Sequence, residues 1–270
     1  MNAEAAFALD LASLTDVGTE RAHNEDRCGH LQEAAERGLL IVADGVSSAE
    51  AGETAAQTAV DATLRTFAEQ PPGTPAAKRL YRAVQQANIE VYDLATVVPE
   101  LRGMTTTLTA VVVDRGELIA AHVGDSRLYR WRAGRLVQLT KDHTVAGERA
   151  RIGLMSKARA RSHPDRSILT RSLGRELIVA IDRISNRVYR GDALLVCSDG
   201  LYNTLDESEM GALLAEGTAD QACRRLVDAA NERGTLDNLS AAVLRVTDGP
   251  PPPPVSRGLA GKLRSLLRRG

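Results

Sequence analysis

The segment Leu39-Leu40-Ile41-Val42-Ala43-Asp44-Gly45 carries the pattern that decides the fold of this chain. A short apolar run that ends in Asp and Gly predicts a buried strand. The same pattern recurs over residues 118–127 and 193–200, and in reverse order over 237–244. A carboxylate at the end of a buried strand is costly unless it is paired, hydrogen-bonded or bound to a cation. No block of Lys or Arg lies beside these acids, so the pattern suggests a shared divalent metal site.

The remaining elements are predicted from their apolar periodicity. They are a first strand near residues 7–11, helices over 49–69 and 76–95, short strands between 105 and 139, strands near 178–189 and 193–197, helices near 206–215 and 219–233, and a last strand over 239–246. The order is one strand region, two helices, a run of strands, two helices and a strand. Adjacent antiparallel strands with paired helices favour α+β layering over a doubly wound parallel sheet.

Composition divides the chain into one domain and a short C-terminal extension. Residues 1–248 are predicted to form the domain, and the polar, basic stretch over about 145–175 forms a flap within it. Residues 249–255 are a proline-rich linker, which is expected to be stiff and extended. Residues 256–270 form a basic amphipathic tail. Such a segment is typical of a solubilising tail, and contact with a membrane surface is the alternative.

Charge and cysteine usage exclude several classes of protein. Five basic residues lie in 256–270, so the rest of the chain is mildly acidic and does not resemble a nucleic-acid binder. No apolar run approaches the roughly 20 residues that span a bilayer. Three cysteines without a CxxC spacing favour a reduced, cytoplasmic setting over a disulfide framework or a zinc site.

Further short motifs follow one another along the chain. They are Arg21-Ala22-His23-Asn24-Glu25-Asp26, Asp44-Gly45, Gly103-Met104-Thr105-Thr106-Thr107, Val123-Gly124-Asp125-Ser126-Arg127, Leu139-Thr140-Lys141-Asp142-His143-Thr144, Thr170-Arg171-Ser172-Leu173-Gly174, Ser198-Asp199-Gly200-Leu201 and Asp237-Asn238. With these motifs in this order, residues 9–247 resemble a metal-dependent serine/threonine protein phosphatase of the type 2C (PPM) family, of the bacterial type. One motif alone would be a weak signal, whereas the whole ordered set is not expected by chance.

The resemblance implies a fold and a reaction. The fold is a four-layer α-β-β-α sandwich, in which two antiparallel sheets are flanked by helix pairs and the metals lie at one end. The reaction is hydrolysis of phosphoserine and phosphothreonine in proteins, by direct attack of a water that two metal ions activate. The implied partners are phosphorylated Ser/Thr proteins and a cognate Ser/Thr kinase.

The resemblance also assigns metal ligands in this sequence. Asp44 would bridge two ions, and the Gly45 carbonyl would bind one of them. Asp199 and Asp237 would ligate the other ion. Oxygen-only ligands suit Mn²⁺ or Mg²⁺ rather than Zn²⁺.

Five more residues receive roles from the resemblance. Glu25 and Asp26 would bind the ions directly or through water. Arg21 would clamp the substrate phosphate, for which its planar guanidinium is suited. A third, looser metal is implied near Asp125, with the flap contributing the Ser167 carbonyl.

The sequence departs from many eukaryotic relatives directly after Asp-Gly. Those relatives have a His and two glycines there, and that His is taken to be the general acid. Here the chain has Val46 and then Ser47-Ser48, and Val46 cannot donate a proton. Many bacterial members also lack this His, so we interpret the change as a different protonation step and not as lost activity. His23 and His143 are interpreted as structural.

Several alternatives remain open at the level of sequence. Asp-Gly pairs are common turn formers, Asp125 could pair with Arg127, and Arg21 could simply neutralise nearby acids. The chain could be a pseudophosphatase that binds phosphoproteins without turnover, although all the core acids are present. It could also be a regulatory phosphatase that acts on an anti-sigma antagonist.

Overall fold

The structure of the chain is a computed structural model that describes residues 7–46, 49–71 and 73–253. Ser47-Ser48, the end of the linker and the tail over 256–270 lie outside the described residues. No helix among the described residues is long and apolar enough to cross a membrane.

Eleven strands in the described part of the chain form two antiparallel sheets. The first sheet has the order β1-β11-β10-β7-β8, with β1 (Ala8–Asp16), β7 (Arg127–Arg132), β8 (Arg135–Gln138), β10 (Ala193–Cys197) and β11 (Leu239–Asp248). The second has the order β2-β3-β5-β6-β9, with β2 (Asp26–Ala34), β3 (Arg37–Val46), β5 (Leu108–Asp114), β6 (Glu117–Val123) and β9 (Asp182–Arg187); β4 (Thr105–Thr106) pairs with the end of β3.

Helices cover the outer faces of both sheets. Helices α1 (Ala49–Ala68) and α2 (Ala76–Val97) share an apolar cluster with the second sheet, whereas α5 (Asp199–Thr204), α6 (Glu207–Leu213) and α7 (Ala219–Glu232) share one with the first. A third apolar cluster lies between the two sheets. Three clusters between four layers confirm the predicted α+β sandwich with two antiparallel sheets and helices on both outer faces.

Both faces of β3 are buried, which explains its unbroken apolar run. Leu39, Ile41 and Ala43 pack against the helices, while Leu40 and Val42 pack between the sheets. Side chains alternate between the two faces of a strand, so a strand at the centre of a layered fold is apolar at every position. The acid that ends this strand therefore emerges at the rim of the core.

Strand β2 has no counterpart in the sequence analysis, because its residues show no apolar run. It is an edge strand, and most of its side chains are partly exposed. Its apolar contact with α1 includes Gly29, where an added Cβ would lie 3.2 Å from side-chain atoms of Val60 and Leu64. Contact through a glycine leaves no hydrophobic signature in the sequence.

The region around the predicted flap is more regular than its composition indicates. It contains α3 (Val145–Arg151), α4 (Lys157–Arg161) and a 3-10 helix, Pro164–Ser167. The strand expected near 178–189 is only β9, since the apolar residues Leu177 and Ile178 are exposed. These short helices have few buried side chains, so periodicity could not reveal them.

Candidate metal centre

The acids that end the strands meet at one end of the sandwich. Asp44, near the end of β3, lies directly opposite Asp26, the first residue of β2. Asp199 follows β10 as the first residue of α5, and Asp237 lies two residues before β11. The two sheets are joined here, because the Glu25 backbone N–H donates to the residue after Asp237. The predicted ligands thus come together from separate parts of the chain.

Two threonines hold the backbone of Asp44. Thr107 accepts a hydrogen bond from the Asp44 N–H through its hydroxyl (3.1 Å) and donates its own N–H to the Asp44 carbonyl (2.8 Å). The Thr106 hydroxyl also donates to that carbonyl (2.8 Å). Sequence analysis assigns these threonines no role. They satisfy the backbone of Asp44 while, within the described ranges, no hydrogen bond or ion pair reaches its carboxylate.

Two glycines allow the first turns of α1 to lie against the end of β3. A Cβ at Gly45 would overlap the carbonyl of Gly52, and a Cβ at Gly52 would overlap the Glu25 carboxylate. The Gly45 N–H also donates to the Glu25 carbonyl (3.1 Å). The helix therefore leaves space that the Glu25 side chain occupies. A glycine inside a helix that is otherwise rich in Ala was the available sequence signal, since this position is unfavourable for helix formation.

Asp26 is buried with only partial compensation of its charge. It is 2% exposed, and its Oδ2 has no hydrogen-bond partner in the described part of the chain. Burial is the main cause that raises the pKa of Asp26 to about 7, and the negative charges of Asp199 and Asp237 add to it. The hydroxyls of Ser198 and Ser240 offset only part of this rise.

Other acids at this end of the sandwich also have raised pKa values. Burial, followed by the charges of Asp26 and Asp199, raises the pKa of Asp44 well above its usual range. Burial and then Asp237 raise the pKa of Asp199 to about 6. Asp125 also has a raised pKa, from burial first and the charge of Asp199 second. A divalent cation would reverse these shifts, because opposite charge favours the ionised carboxylate.

The donors fit Mn²⁺ or Mg²⁺. All are oxygens, and at least one is a buried oxygen without a partner. Among the residues that the structure describes, no three His, Cys, Asp or Glu side chains form a group that could hold one ion by themselves. Mg²⁺ typically keeps several waters and takes only one or two carboxylates from the protein. The arrangement is therefore suited to ions that are partly hydrated.

Arg21 lies at the exposed edge of the acids. Its side chain is 51% exposed, and its Nη2 lies 2.9 Å from Asp237 Oδ2. Its Nε donates to the Leu236 carbonyl (3.3 Å). As the structure stands, Arg21 neutralises an acid, and its guanidinium remains accessible to an incoming anion.

A cavity of about 670 Å³ separates the flap from α5 and α6. Asp125 and Asp199 line it on one side, and Ser167 lines it from the flap. The two residues predicted for a third metal thus border the same cavity. Their contact with an ion remains a prediction.

Arg127 does not pair with Asp125, contrary to the alternative raised by the sequence. It donates to Asp142 instead, with Nη2 2.6 Å from Oδ2, and its guanidinium lies 3.5 Å from the centre of the Tyr202 ring. The Tyr202 hydroxyl in turn donates to the Asp125 carbonyl (3.0 Å). These contacts hold the backbone of Asp125, and its carboxylate forms no ion pair with Arg127.

The structure also identifies a contact that the sequence analysis missed. The Asn203 Nδ2 donates to Asp199 Oδ2 (3.0 Å). The two residues are four apart on α5, a spacing that brings side chains together on one helix face.

His143 accepts from the Gly124 N–H and lies 3.2 Å from Asp182, as expected of a structural histidine.

Comparisons with known proteins identify the family of the chain. The protein phosphatase 2C family profile matches residues 18–243. The serine/threonine phosphatase stp of Listeria innocua is 34% identical over 234 residues, which are 85% of this chain and 93% of that protein. The serine/threonine protein phosphatase PstP of Mycobacterium tuberculosis is 36% identical over 248 residues, which are 91% of this chain and 46% of PstP.

Solved structures agree in fold. The PPM Ser-Thr phosphatase MsPP of Mycobacterium smegmatis, in complex with cacodylate, has a TM-score of 0.78 and 38% identity over 89% of this chain and 99% of its own. The catalytic domain of PstP, in complex with two manganese ions, has a TM-score of 0.78 and 30% identity over 90% of this chain and 100% of its own. The chain therefore belongs to the protein phosphatase 2C family and is a serine/threonine protein phosphatase of the bacterial type.

Proposed function

We propose that the chain hydrolyses phosphoserine and phosphothreonine in proteins with two Mn²⁺ or Mg²⁺ ions bound at the end of the sandwich. The observation that carries this proposal is the pair Asp26 and Asp44. They face each other across neighbouring strands, burial raises the pKa of both, and the charge of Asp26 raises the pKa of Asp44 further. A fold retains such a pair of acids only where something else compensates their charge.

The ligands that we propose are those that the resemblance implies. Asp44 would contact both ions, the Gly45 carbonyl would contact one, and Asp199 and Asp237 would contact the other. Glu25 and Asp26 would bind the ions directly or through water. The candidate metal ligands are therefore Glu25, Asp26, Asp44, Gly45, Asp199 and Asp237. When bound, the ions supply an activated water and positive charge at phosphorus. The two manganese ions in the PstP catalytic domain support this choice of metal.

The protein's own groups have separate tasks. Arg21 would exchange its contact with Asp237 for the oxygens of the substrate phosphate, which a guanidinium binds in bidentate fashion. Thr106 and Thr107 would keep Asp44 in one orientation. A third ion would lie in the cavity beside Asp125 and the Ser167 carbonyl.

The substrate class is the finer part of the proposal. We infer phosphorylated Ser/Thr proteins and a cognate Ser/Thr kinase as partners in the cytoplasm, and no binding of nucleic acid. The catalytic domain would span 1–248 with its flap over 145–175, followed by the linker and the tail. The names of the relatives support the phosphatase activity. The kinase rests on the resemblance alone, and the cytoplasmic setting rests on the cysteine usage of the sequence.

The test is hydrolysis of a phosphothreonine peptide by the full chain, with Mn²⁺ and with EDTA. We expect turnover only with Mn²⁺. Arg21→Ala should raise KM about tenfold with a smaller effect on kcat, because one charge-assisted contact with the phosphate is lost.

Arg224→Ala is the matched control. Arg224 also forms an exposed pair with an acid, at 2.9 Å from Asp220. Its loss should leave KM unchanged. Mn²⁺ binding without hydrolysis of any phosphopeptide would favour the pseudophosphatase alternative, and hydrolysis that persists in EDTA would contradict the metal assignment. Preference for a phosphorylated anti-sigma antagonist would change the substrate and not the chemistry.

A further inference from the structure

Asn238 makes three hydrogen bonds to one loop through its side chain alone. Its Nδ2 donates to the carbonyls of Val17 (2.8 Å) and His23 (2.9 Å), and its Oδ1 accepts from the Glu25 N–H (2.9 Å). The residue is 6% exposed. Both donors of the amide and its acceptor are therefore used, all on backbone groups of residues 17–25.

The same loop is pressed against the chain that precedes Asn238. The Thr19 hydroxyl donates to the Thr235 carbonyl (2.8 Å). A Cβ at Gly18 would overlap the Asp237 carbonyl, and Gly18 has a positive φ of 79°. Residues 17–25 thus have little freedom to move relative to the start of β11.

The loop and Asn238 together bring the candidate groups into contact. Arg21, which would bind phosphate, and Glu25, which would assist a metal, both lie on the loop. Asp237 accepts from Arg21 through Oδ2 and from the Asn238 backbone N–H (2.9 Å) through Oδ1. One asparagine therefore connects the loop, by its side chain, with the adjacent metal ligand.

We propose that Asn238 is a positioning residue that fixes Arg21 and Glu25 relative to Asp237, so that phosphate binding and metal binding both depend on its amide. The inference rests on the proposed function. The amide is specifically required, because a carboxylate at this position would direct oxygen, and not N–H, at two carbonyl groups. Asn238→Asp should therefore fail despite its similar size.

A second asparagine provides a matched control. Asn88 is 0% exposed, and its Nδ2 donates to the carbonyls of Glu176 (3.0 Å) and Leu177 (3.0 Å). Its Oδ1 accepts from the Gly174 N–H (3.0 Å). The side-chain contacts are of the same kind and number as those of Asn238, but they fasten a segment that carries no candidate ligand.

The experiment compares Asn238→Ala, Asn238→Asp and Asn88→Ala in the full chain. The measurements are the Kd of Mn²⁺ by calorimetry, the inhibition constant of inorganic phosphate, KM and kcat, with urea denaturation to compare stability. For both Asn238 variants we expect phosphate affinity to fall by about tenfold or more, KM to rise, and Mn²⁺ affinity to fall severalfold. Asn88→Ala should lose similar stability while both affinities stay at the wild-type level.

The proposal is overturned if the Asn238 variants lose stability as Asn88→Ala does and keep wild-type affinities for phosphate and Mn²⁺. Should Asn238→Ala not fold, Asn238→Ser, which retains one hydroxyl donor, would take its place with a smaller expected loss in the same direction. Mn²⁺ binding is measured without turnover. It therefore tests Asn238 even if the wild-type chain hydrolysed no phosphopeptide, which would instead contradict the proposed function.

Discussion

Two buried aspartates of equal exposure have opposite surroundings. Asp192 and Asp26 are each 2% exposed. Arg132 donates to both oxygens of Asp192, at 2.7 and 2.6 Å, and the Tyr189 N–H adds a third bond at 2.8 Å. Asp26 has an oxygen without a partner in the described part of the chain, and the charges that act most on its pKa are those of Asp199 and Asp237. The difference separates an acid whose charge the fold neutralises from one whose charge the described groups leave without a cationic partner.

Two further aspartates have surroundings that differ in the same way. Asp142 resembles Asp192, because Arg127 and Gln138 donate to it. Asp44 resembles Asp26, because burial and neighbouring acids raise its pKa. Arginines are thus available in this fold and form pairs with carboxylates elsewhere. No arginine forms an ion pair with Asp26, Asp44 or Asp199 in the described part of the chain, and the arginine that pairs with Asp237, Arg21, is exposed. A cation is the compensation that we expect there.

The largest expected difference between the two kinds of aspartate is in their importance for catalysis. Asp44→Asn should reduce Mn²⁺-dependent phosphopeptide hydrolysis by at least about 10³-fold, since it removes a charge that would bridge two ions. The metal-free variant should be as stable as the wild type, or more stable, because repulsion among the acids decreases. Activity assays and urea denaturation in EDTA measure the two effects separately.

Asp192→Asn should have the opposite effect, a loss of stability without a loss of catalysis. It should lower the free energy of unfolding by about 2 kcal/mol, because Arg132 loses a charged partner while keeping some access to water. Its kcat and KM at a temperature where it is folded should match the wild type. A variant of Asp192 that lost catalysis without losing stability would break the distinction between the two kinds of acid.

A further effect is expected on the pH dependence of stability without metal. The pKa of Asp26 in the folded protein is about 7, above the ordinary value of 3.8. Its stabilising contribution is therefore fully present below about pH 4 and is lost as the pH rises through 7, at about 1.4 kcal/mol for each unit of pKa difference. Urea denaturation in EDTA should show lower stability at pH 8 than at pH 5.

Asp26→Asn should weaken this dependence, because one of the acids with a raised pKa is removed while Asp44 and Asp199 still titrate. Saturating Mn²⁺ should raise stability most at pH 8, where the carboxylates are ionised and bind the ion best. A metal-free protein whose stability was equal or greater at pH 8 would contradict the raised pKa of Asp26.

The sequence was informative where local pattern and burial coincide. The buried strands ending in Asp44 and Asp199 could be predicted because their apolar runs are continuous and end in Asp-Gly. The edge strand β2 could not, since only one of its nine residues is fully buried. Its existence depends on pairing with β3, which is a tertiary contact and leaves no periodic signal.

The residues that hold the candidate ligands in place could not be predicted from the sequence, for a similar reason. Asn238 and the loop it binds are separated by more than 200 residues, and Gly52 matters only because Glu25 lies over it. Thr106 and Thr107 have the composition of an ordinary strand, so their bonds to Asp44 could not be inferred. Residue types suggested the ligands, whereas the groups that orient them follow only from the fold.

The central claim is that the unpaired acids form a metal centre. Calorimetric titration of the wild type, Asp44→Asn and Asp192→Asn with Mn²⁺ tests it most directly. We predict two or more binding events for the wild type and for Asp192→Asn, and the loss of high-affinity binding in Asp44→Asn. Equal Mn²⁺ affinity in Asp44→Asn and the wild type would contradict the account.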